Sequence, residues 1–277
     1  MKIDTIELGD AYELIKTIPD KSIDLIYTDV PYLYTQGGGG SSELGKRTAR
    51  KRIELMGVLD DYENILEDKT KRTHALQQAR KTSKTKEENS NMEEGFDFKI
   101  LDEFCRVMKH IYIYIWCSKL QIFPLMKYFI DEKHCIFEIL TWHKTNPTPS
   151  CNNCYPPDTE YCLLFREKGT GMGGNMKTLK KYYISPINKE DKDEYGHPTI
   201  KPIQFVKDMI FNSTKKGDVV LDTFMGSGTT AVACKELERH YIGFELNPKY
   251  YQIAIDRVNG ITKDDRDKMD SGQITLF

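Results

Sequence analysis

Asp218-Val-Val-Leu-Asp222-Thr223-Phe224-Met225-Gly226-Ser227-Gly228-Thr229-Thr230 decides the fold. Asp218–Asp222 is a short β-rich apolar run, two glycines follow, and helical periodicity then runs from Thr229 to Leu237. A strand that turns through glycines into a helix is the repeating unit of a parallel sheet. Similar runs stand at Asp24–Thr28, Ile111–Cys117, Ile136–Trp142, Tyr161–Phe165 and His240–Phe244. Helical patterns lie between them, at Ala11–Thr17, Phe98–Met108, Leu120–Ile130, Ile200–Phe211 and Lys249–Val258. The alternation predicts an α/β fold with a mostly parallel sheet flanked by helices on both faces. Tyr112, Tyr114 and Trp116 alternate along one run and are expected in sheet packing.

The 277 residues suit one large α/β domain or two small ones. No apolar run approaches the roughly 18 residues of a membrane span, and acids stand in the N-terminal stretch where a leader peptide needs apolar residues. Seven scattered cysteines suit reduced thiols, so a cytoplasmic protein is expected. Forty Lys+Arg against 42 Asp+Glu hide an asymmetry, because Lys46–Lys86 holds twelve basic residues and six acidic ones. That excess attracts polyanions. Residues 33–95 open with Gly37–Gly40 and then run charged and poor in apolar residues, as a flexible insertion would; within it Arg50, Lys51 and Arg52 are candidate DNA contacts. Residues 1–32 and 96–258 make up the scaffold, 167–196 a second irregular segment, and 259–277 a charged tail expected to be disordered.

Two strand ends carry chemistry. The glycine loop lacks the Gly-Lys-Ser/Thr of a P-loop and the third glycine of a dinucleotide fingerprint. Its strand ends instead in Asp222 and the next strand in Glu245, where a carboxylate can grip a ribose diol. The pair suits a nucleoside bearing an ammonium group, such as S-adenosylmethionine. Asp29-Val30-Pro31-Tyr32 leaves the strand Ser22–Thr28, with Pro31 fixing the turn. A carboxylate, a backbone carbonyl and an aromatic face so grouped suit an exocyclic amine on a planar base. Accepting both N–H bonds aligns the nitrogen lone pair with an incoming methyl group and stabilises the developing positive charge.

Together these motifs resemble those of the amino-methylating DNA methyltransferases, which make N6-methyladenine or N4-methylcytosine. Asp29–Tyr32 matches the family's Asp-Pro-Pro-Tyr, and Asp222–Thr229 its Asp-Pro-Phe-x-Gly-Ser-Gly-Thr. Trp142–Pro147, His197-Pro-Thr-Ile-Lys-Pro202 and Gly243-Phe-Glu245 match further motifs, in the order of the β group. The resemblance implies the Rossmann-like methyltransferase fold and direct methyl transfer to a flipped base. It assigns catalysis to Asp29, Val30, Pro31 and Tyr32, and cofactor binding to Asp222, Phe224, Gly226, Ser227, Gly228, Thr229, Glu245, His197 and Lys201. His197–Pro202 is expected to start a helix over the methionine end of the cofactor. Asp29 in the first position favours adenine; N4-cytosine methylation, or a SAM- and DNA-binding protein with weakened catalysis, are the alternatives. Val30, Thr223 and Ile200 depart from the family's proline, proline and glutamine, and Val30 loses a locked φ angle.

Other signals carry less. Cys151-Asn-Asn-Cys154 is a single pair where structural zinc wants two, so no metal is expected. No Pro-Cys pair supports a cysteine nucleophile. Asn146 lies in a loop at the same edge as Asp29 and is a candidate DNA contact. Gln273-Ile-Thr-Leu-Phe277 looks like a peptide that docks on a bacterial or phage sliding clamp.

Overall fold

The computed structural model describes residues 1–32, 96–147, 155–187, 194–195 and 200–270. Their chain order is β1 (Thr5–Leu8), α1 (Ala11–Leu14), β2 (Leu25–Asp29), α2 (Ile100–Val107), β3 (Tyr112–Cys117), α3 (Ile122–Met126), β4 (Ile136–Lys144), β5 (Thr159–Arg166) and β6 (Tyr182–Ser185). Then follow α4 (Ile203–Ser213), β7 (Val219–Asp222), α5 (Thr229–Glu236), β8 (His240–Glu245), α6 (Pro248–Val258) and α7 (Lys263–Asp270). Eight strands form one sheet in the order β1-β8-β7-β2-β3-β5-β4-β6. Only β5 is reversed; it runs antiparallel to both β3 and β4.

The apolar strands bury both faces. Tyr114, Trp116, Leu140 and Trp142 pack with Phe205, Met209 and Ile210 of α4 and Ala231 and Cys234 of α5. Ile113, Ile115, Leu163 and Phe165 pack on the other face with Ile100, Leu101 and Phe104 of α2 and Leu125 of α3. The expected sheet role of Tyr112, Tyr114 and Trp116 holds, since all three are buried. Among the described residues no helix is long and apolar enough to cross a membrane.

Strand order places the site. From β2 the chain proceeds to β3 on one side, whereas from β7 it proceeds to β8 on the other. The connections therefore diverge at the β2–β7 seam, and such a switch point leaves a crevice at the carboxyl ends of the strands. Asp29 ends β2 and Asp222 ends β7.

Two expectations are corrected and one strand is added. Tyr182–Ser185, inside the supposedly irregular 167–196, is a strand parallel to β4, with Tyr183 packed 4.5 Å from the Phe205 ring. Thr5–Leu8 is an edge strand beside β8, too short at four residues to stand out by pattern. Lys263–Asp270 is a helix rather than a structureless tail. Its cause is a capping box, in which the Asp265 amide donates to Thr262 Oγ1 at 3.2 Å and the Thr262 amide donates to an Asp265 carboxylate oxygen at 3.0 Å. Arg266 also donates to the Glu194 carbonyl at 2.8 Å, which docks the helix.

Candidate active site

The Asp29–Tyr32 turn leaves the sheet at the switch point. Asp29 Oδ2 accepts from Lys201 Nζ at 2.5 Å, and the same ammonium lies 3.0 Å from Glu160 Oε2. Lys144 meets the other Glu160 oxygen at 2.5 Å, so four alternating charges form a row: Asp29, Lys201, Glu160, Lys144. Lys201 is 7% exposed and sits 5.0 Å over the Trp116 ring and 5.5 Å over the Tyr32 ring. The Tyr32 hydroxyl lies 3.3 Å from both Lys201 Nζ and Glu160 Oε2.

The two carboxylates differ in their surroundings. Burial pushes Asp29 above the ordinary carboxylate range, against the pull of Lys201. Glu160 has two lysines, which overcome its burial and bring it down to about 2. Burial disfavours the Lys201 ammonium, yet Asp29 and Glu160 outweigh it and hold the group charged. The Asp29 side chain is 28% exposed, but its Oδ1 is shielded from solvent and has no hydrogen-bond partner among the described residues.

The glycine loop is built from within. Asp222 is 3% exposed, and its oxygens accept from the Phe224 amide at 3.1 Å and the Thr230 hydroxyl at 2.5 Å. Burial pushes this carboxyl up to about 7. Gly226 and Gly228 take φ of 56° and 81°, a region open to glycine. A Cβ on Gly228 would stand 3.0 Å from Ala254 Cα, so the glycine also lets α5 and α6 approach. Ser227 and Thr229 turn inward, and their hydroxyls accept from the buried Arg257 at 3.1 and 2.7 Å. Glu245 is partly exposed at the tip of β8, accepts from the Gly226 and Asn247 amides at 2.8 Å each, and is raised by its burial.

A profile of the family described as DNA methylase matches residues 23–256. The chain belongs to this N6/N4 DNA methylase family. The methylase is 28% identical over 291 residues to the Type II methyltransferase M.HinfI of Haemophilus influenzae, covering 96% of this chain and 71% of that one. It is 26% identical over 274 residues to the Type II methyltransferase M2.DpnII of Streptococcus pneumoniae, covering 90% and 87%. Among solved structures, the PvuII DNA methyltransferase (cytosine-N4-specific) superposes with a TM-score of 0.63 at 16% identity, covering 97% of this chain and 93% of that one. A complex of M1.HpyAVI with SAM gives 0.58 at 21% identity, covering 92% and 98%. These two likenesses establish a shared fold.

In the methylase, the Asp29–Tyr32 turn and the glycine loop leave the ends of neighbouring strands. Lys201, expected near the cofactor's methionine end, stands between Asp29 and Glu160. Phe224 packs partly buried against the second core cluster. Asn146 accepts the Ile187 amide at 2.7 Å. His197, Arg50, Lys51, Arg52, Cys151, Cys154 and Gln273–Phe277 lie outside the described residues. Sequence reasoning missed Glu160, Lys144 and Gln121. Glu160 reaches the site only because β5 runs backwards and presents its first residues at the edge where the parallel strands end.

Proposed function

We propose that the methylase transfers a methyl group from S-adenosylmethionine to the N6 amine of adenine in duplex DNA. The observation that carries this reading is Asp29 Oδ1, a shielded acceptor for which the described residues supply no hydrogen-bond donor. A buried acceptor of this kind is costly unless a ligand donates to it. The Pro31 carbonyl is already taken by Gln121, which leaves the Val30 carbonyl to accept the second N–H. Tyr32 stacks on the base. Pulling adenine from the duplex costs a few kcal/mol, which stacking and these bonds offset.

The donor set fits the cofactor. Glu245 carries lone pairs beyond its two amide bonds for ribose hydroxyls, and the Gly226–Gly228 backbone admits a ligand closely. Asp222, Phe224, Ser227 and Thr229 hold the loop's shape, with His197 assigned to the methionine end. When bound, S-adenosylmethionine supplies a methyl group on a sulfonium centre. Asp29 accepts one of the amine's hydrogens at Oδ1 and takes there the proton that the methylated amine sheds. Lys201 and Glu160 fix the orientation of its carboxylate.

The first position of the turn, Asp29, is what favours adenine over cytosine. Arg50, Lys51 and Arg52 within 33–95, Asn146, and segment 167–196 are the proposed DNA contacts. Incubation with labelled cofactor and DNA, followed by digestion to nucleosides, tests the reading. N6-methyladenine is expected. N4-methylcytosine overturns the base assignment, and cofactor binding without any product favours a SAM- and DNA-binding protein. The sliding-clamp reading of Gln273–Phe277 rests on sequence alone; an anisotropy titration of the last ten or so residues against a bacterial clamp tests it, and binding that survives Leu276→Ala with Phe277→Ala overturns it.

A further inference from the structure

We propose that Gln121 is a positioning residue of the catalytic turn, supplying in this chain the rigidity that a proline at position 30 would supply. The proposal rests on the reading that Asp29–Tyr32 receives the base. Gln121 follows β3 and is 1% exposed. Both ends of its amide are committed: Nε2 donates to the Pro31 carbonyl at 2.9 Å, and Oε1 accepts the Ser118 amide at 2.8 Å. Its own amide donates to the Ser118 carbonyl at 3.0 Å, so backbone and side chain are fixed by the same turn. The bridge thus runs from the end of β3 to the middle of the catalytic turn.

Val30 completes the arrangement. Its amide donates to the Trp116 carbonyl at 3.3 Å, which extends the β2–β3 ladder one residue past Asp29. Its side chain is 1% exposed within the core cluster shared with Leu125 of α3. A proline has no N–H and could not make the Trp116 bond. The turn is therefore held at residue 30 by β3 and at residue 31 by Gln121. Gln121 takes no part in the Asp29–Lys201–Glu160–Lys144 row, so its effect on the reacting groups passes through the backbone of the turn.

The test is steady-state and binding measurement on the full chain carrying Gln121→Met, which matches the volume and removes both hydrogen bonds. A misplacement of about 1 Å costs on the order of 100-fold in rate. We expect kcat to fall about 10- to 100-fold while the Kd for S-adenosylmethionine, read by calorimetry, stays within about twofold. Gln121→Glu, which keeps an acceptor for Ser118 but sets a carboxylate against the Pro31 carbonyl, should reproduce the loss. Unchanged kcat in Gln121→Met overturns the proposal. So does a parallel loss of kcat, cofactor affinity and thermal stability, which marks a merely structural residue. A wild-type chain that transfers no methyl group overturns the functional reading and this proposal with it, whereas an active wild type with an equally active Gln121→Met overturns this proposal alone.

Discussion

Replacing Glu160 by Gln removes one charge from the interior of the row Asp29, Lys201, Glu160, Lys144, so that Lys201 keeps Asp29 and Lys144 loses its carboxylate partner Glu160. Its size follows from the titration of Glu160, which lies near 2 in the folded chain against an ordinary 4.5. At about 1.4 kcal/mol for each tenfold in acidity, that difference corresponds to about 3 kcal/mol at neutral pH. Glu160 is 16% exposed and Lys201 7%, so solvent screens little of it. A glutamine retains one acceptor for one lysine, and the net loss expected is about 2–3 kcal/mol, somewhat below the usual cost of breaking a buried pair. For a chain of this size each kcal/mol lowers Tm by roughly 2–4 °C, which gives a fall of roughly 5–10 °C.

The sign of the pH dependence follows from the direction of the shift. The folded value is depressed, so the contribution is fully present above about 4.5 and is lost as pH falls toward about 2. Wild type and Glu160→Gln should differ by a constant amount from pH 8 to about 5.5, and the gap should narrow below about 4.5. Urea unfolding at a series of pH values measures it. A gap under about 1 kcal/mol at pH 7.5, or one that widens on acidification, refutes the argument.

Gly228→Ala forces a side chain into a φ of 81° and sets its Cβ 3.0 Å from Ala254 Cα, so a loss of about 2–4 kcal/mol is expected by thermal unfolding. Glu245→Gln should raise the Kd for S-adenosylmethionine about tenfold in calorimetry and leave kcat at saturating cofactor little changed, because Glu245 stands at the glycine loop away from Asp29. Asp29→Ala should reverse that pattern, with kcat down at least about 100-fold and cofactor Kd within about twofold; a matching loss of cofactor binding would make Asp29 structural. Charge reversal at Arg50, Lys51 and Arg52 should weaken DNA binding and flatten its log–log salt slope by about one unit per lost phosphate contact, and an unchanged slope would leave these residues as a solvated face.

Legibility in the sequence followed contiguity. Asp29–Tyr32 and Asp222–Thr230 each place strand, turn and chemistry within a dozen residues, so pattern alone exposes them. Glu160 and Lys144 do not stand out, because a lone Glu at the start of one strand and a Lys at the end of another meet only once β5 is reversed beside β4. Gln121 reads as an ordinary residue of a helix start; only the fold brings its amide to Pro31. The last helix is hidden in the sequence for a different reason. The density of charge in Thr262–Asp270 resembles that of a solvated tail, yet Thr262 and Asp265 are spaced as a capping box, a local signal that outweighed composition.

The two departures at motif prolines acquire a common physical meaning at the β2–β7 seam. Val30 and Thr223 stand next to Asp29 and Asp222, one on each of the neighbouring strands. Each puts a hydrogen-bonding group where a proline offers none. The Val30 amide ties the end of β2 to Trp116 of β3, and the Thr223 hydroxyl lies 3.2 Å from that of Thr28, tying the end of β7 back to β2. Thr28 and Thr223 are buried, so this bond is made away from water, where losing one partner is costly. Rigidity that prolines would supply one residue at a time is here distributed over a network spanning β3, β2 and β7. The same closeness couples the two acids electrically, since the charge of Asp29 helps to raise Asp222. The Asp29–Tyr32 turn and the glycine loop therefore share both a mechanical seam and an electrostatic one, and substitutions on opposite sides of it should combine non-additively.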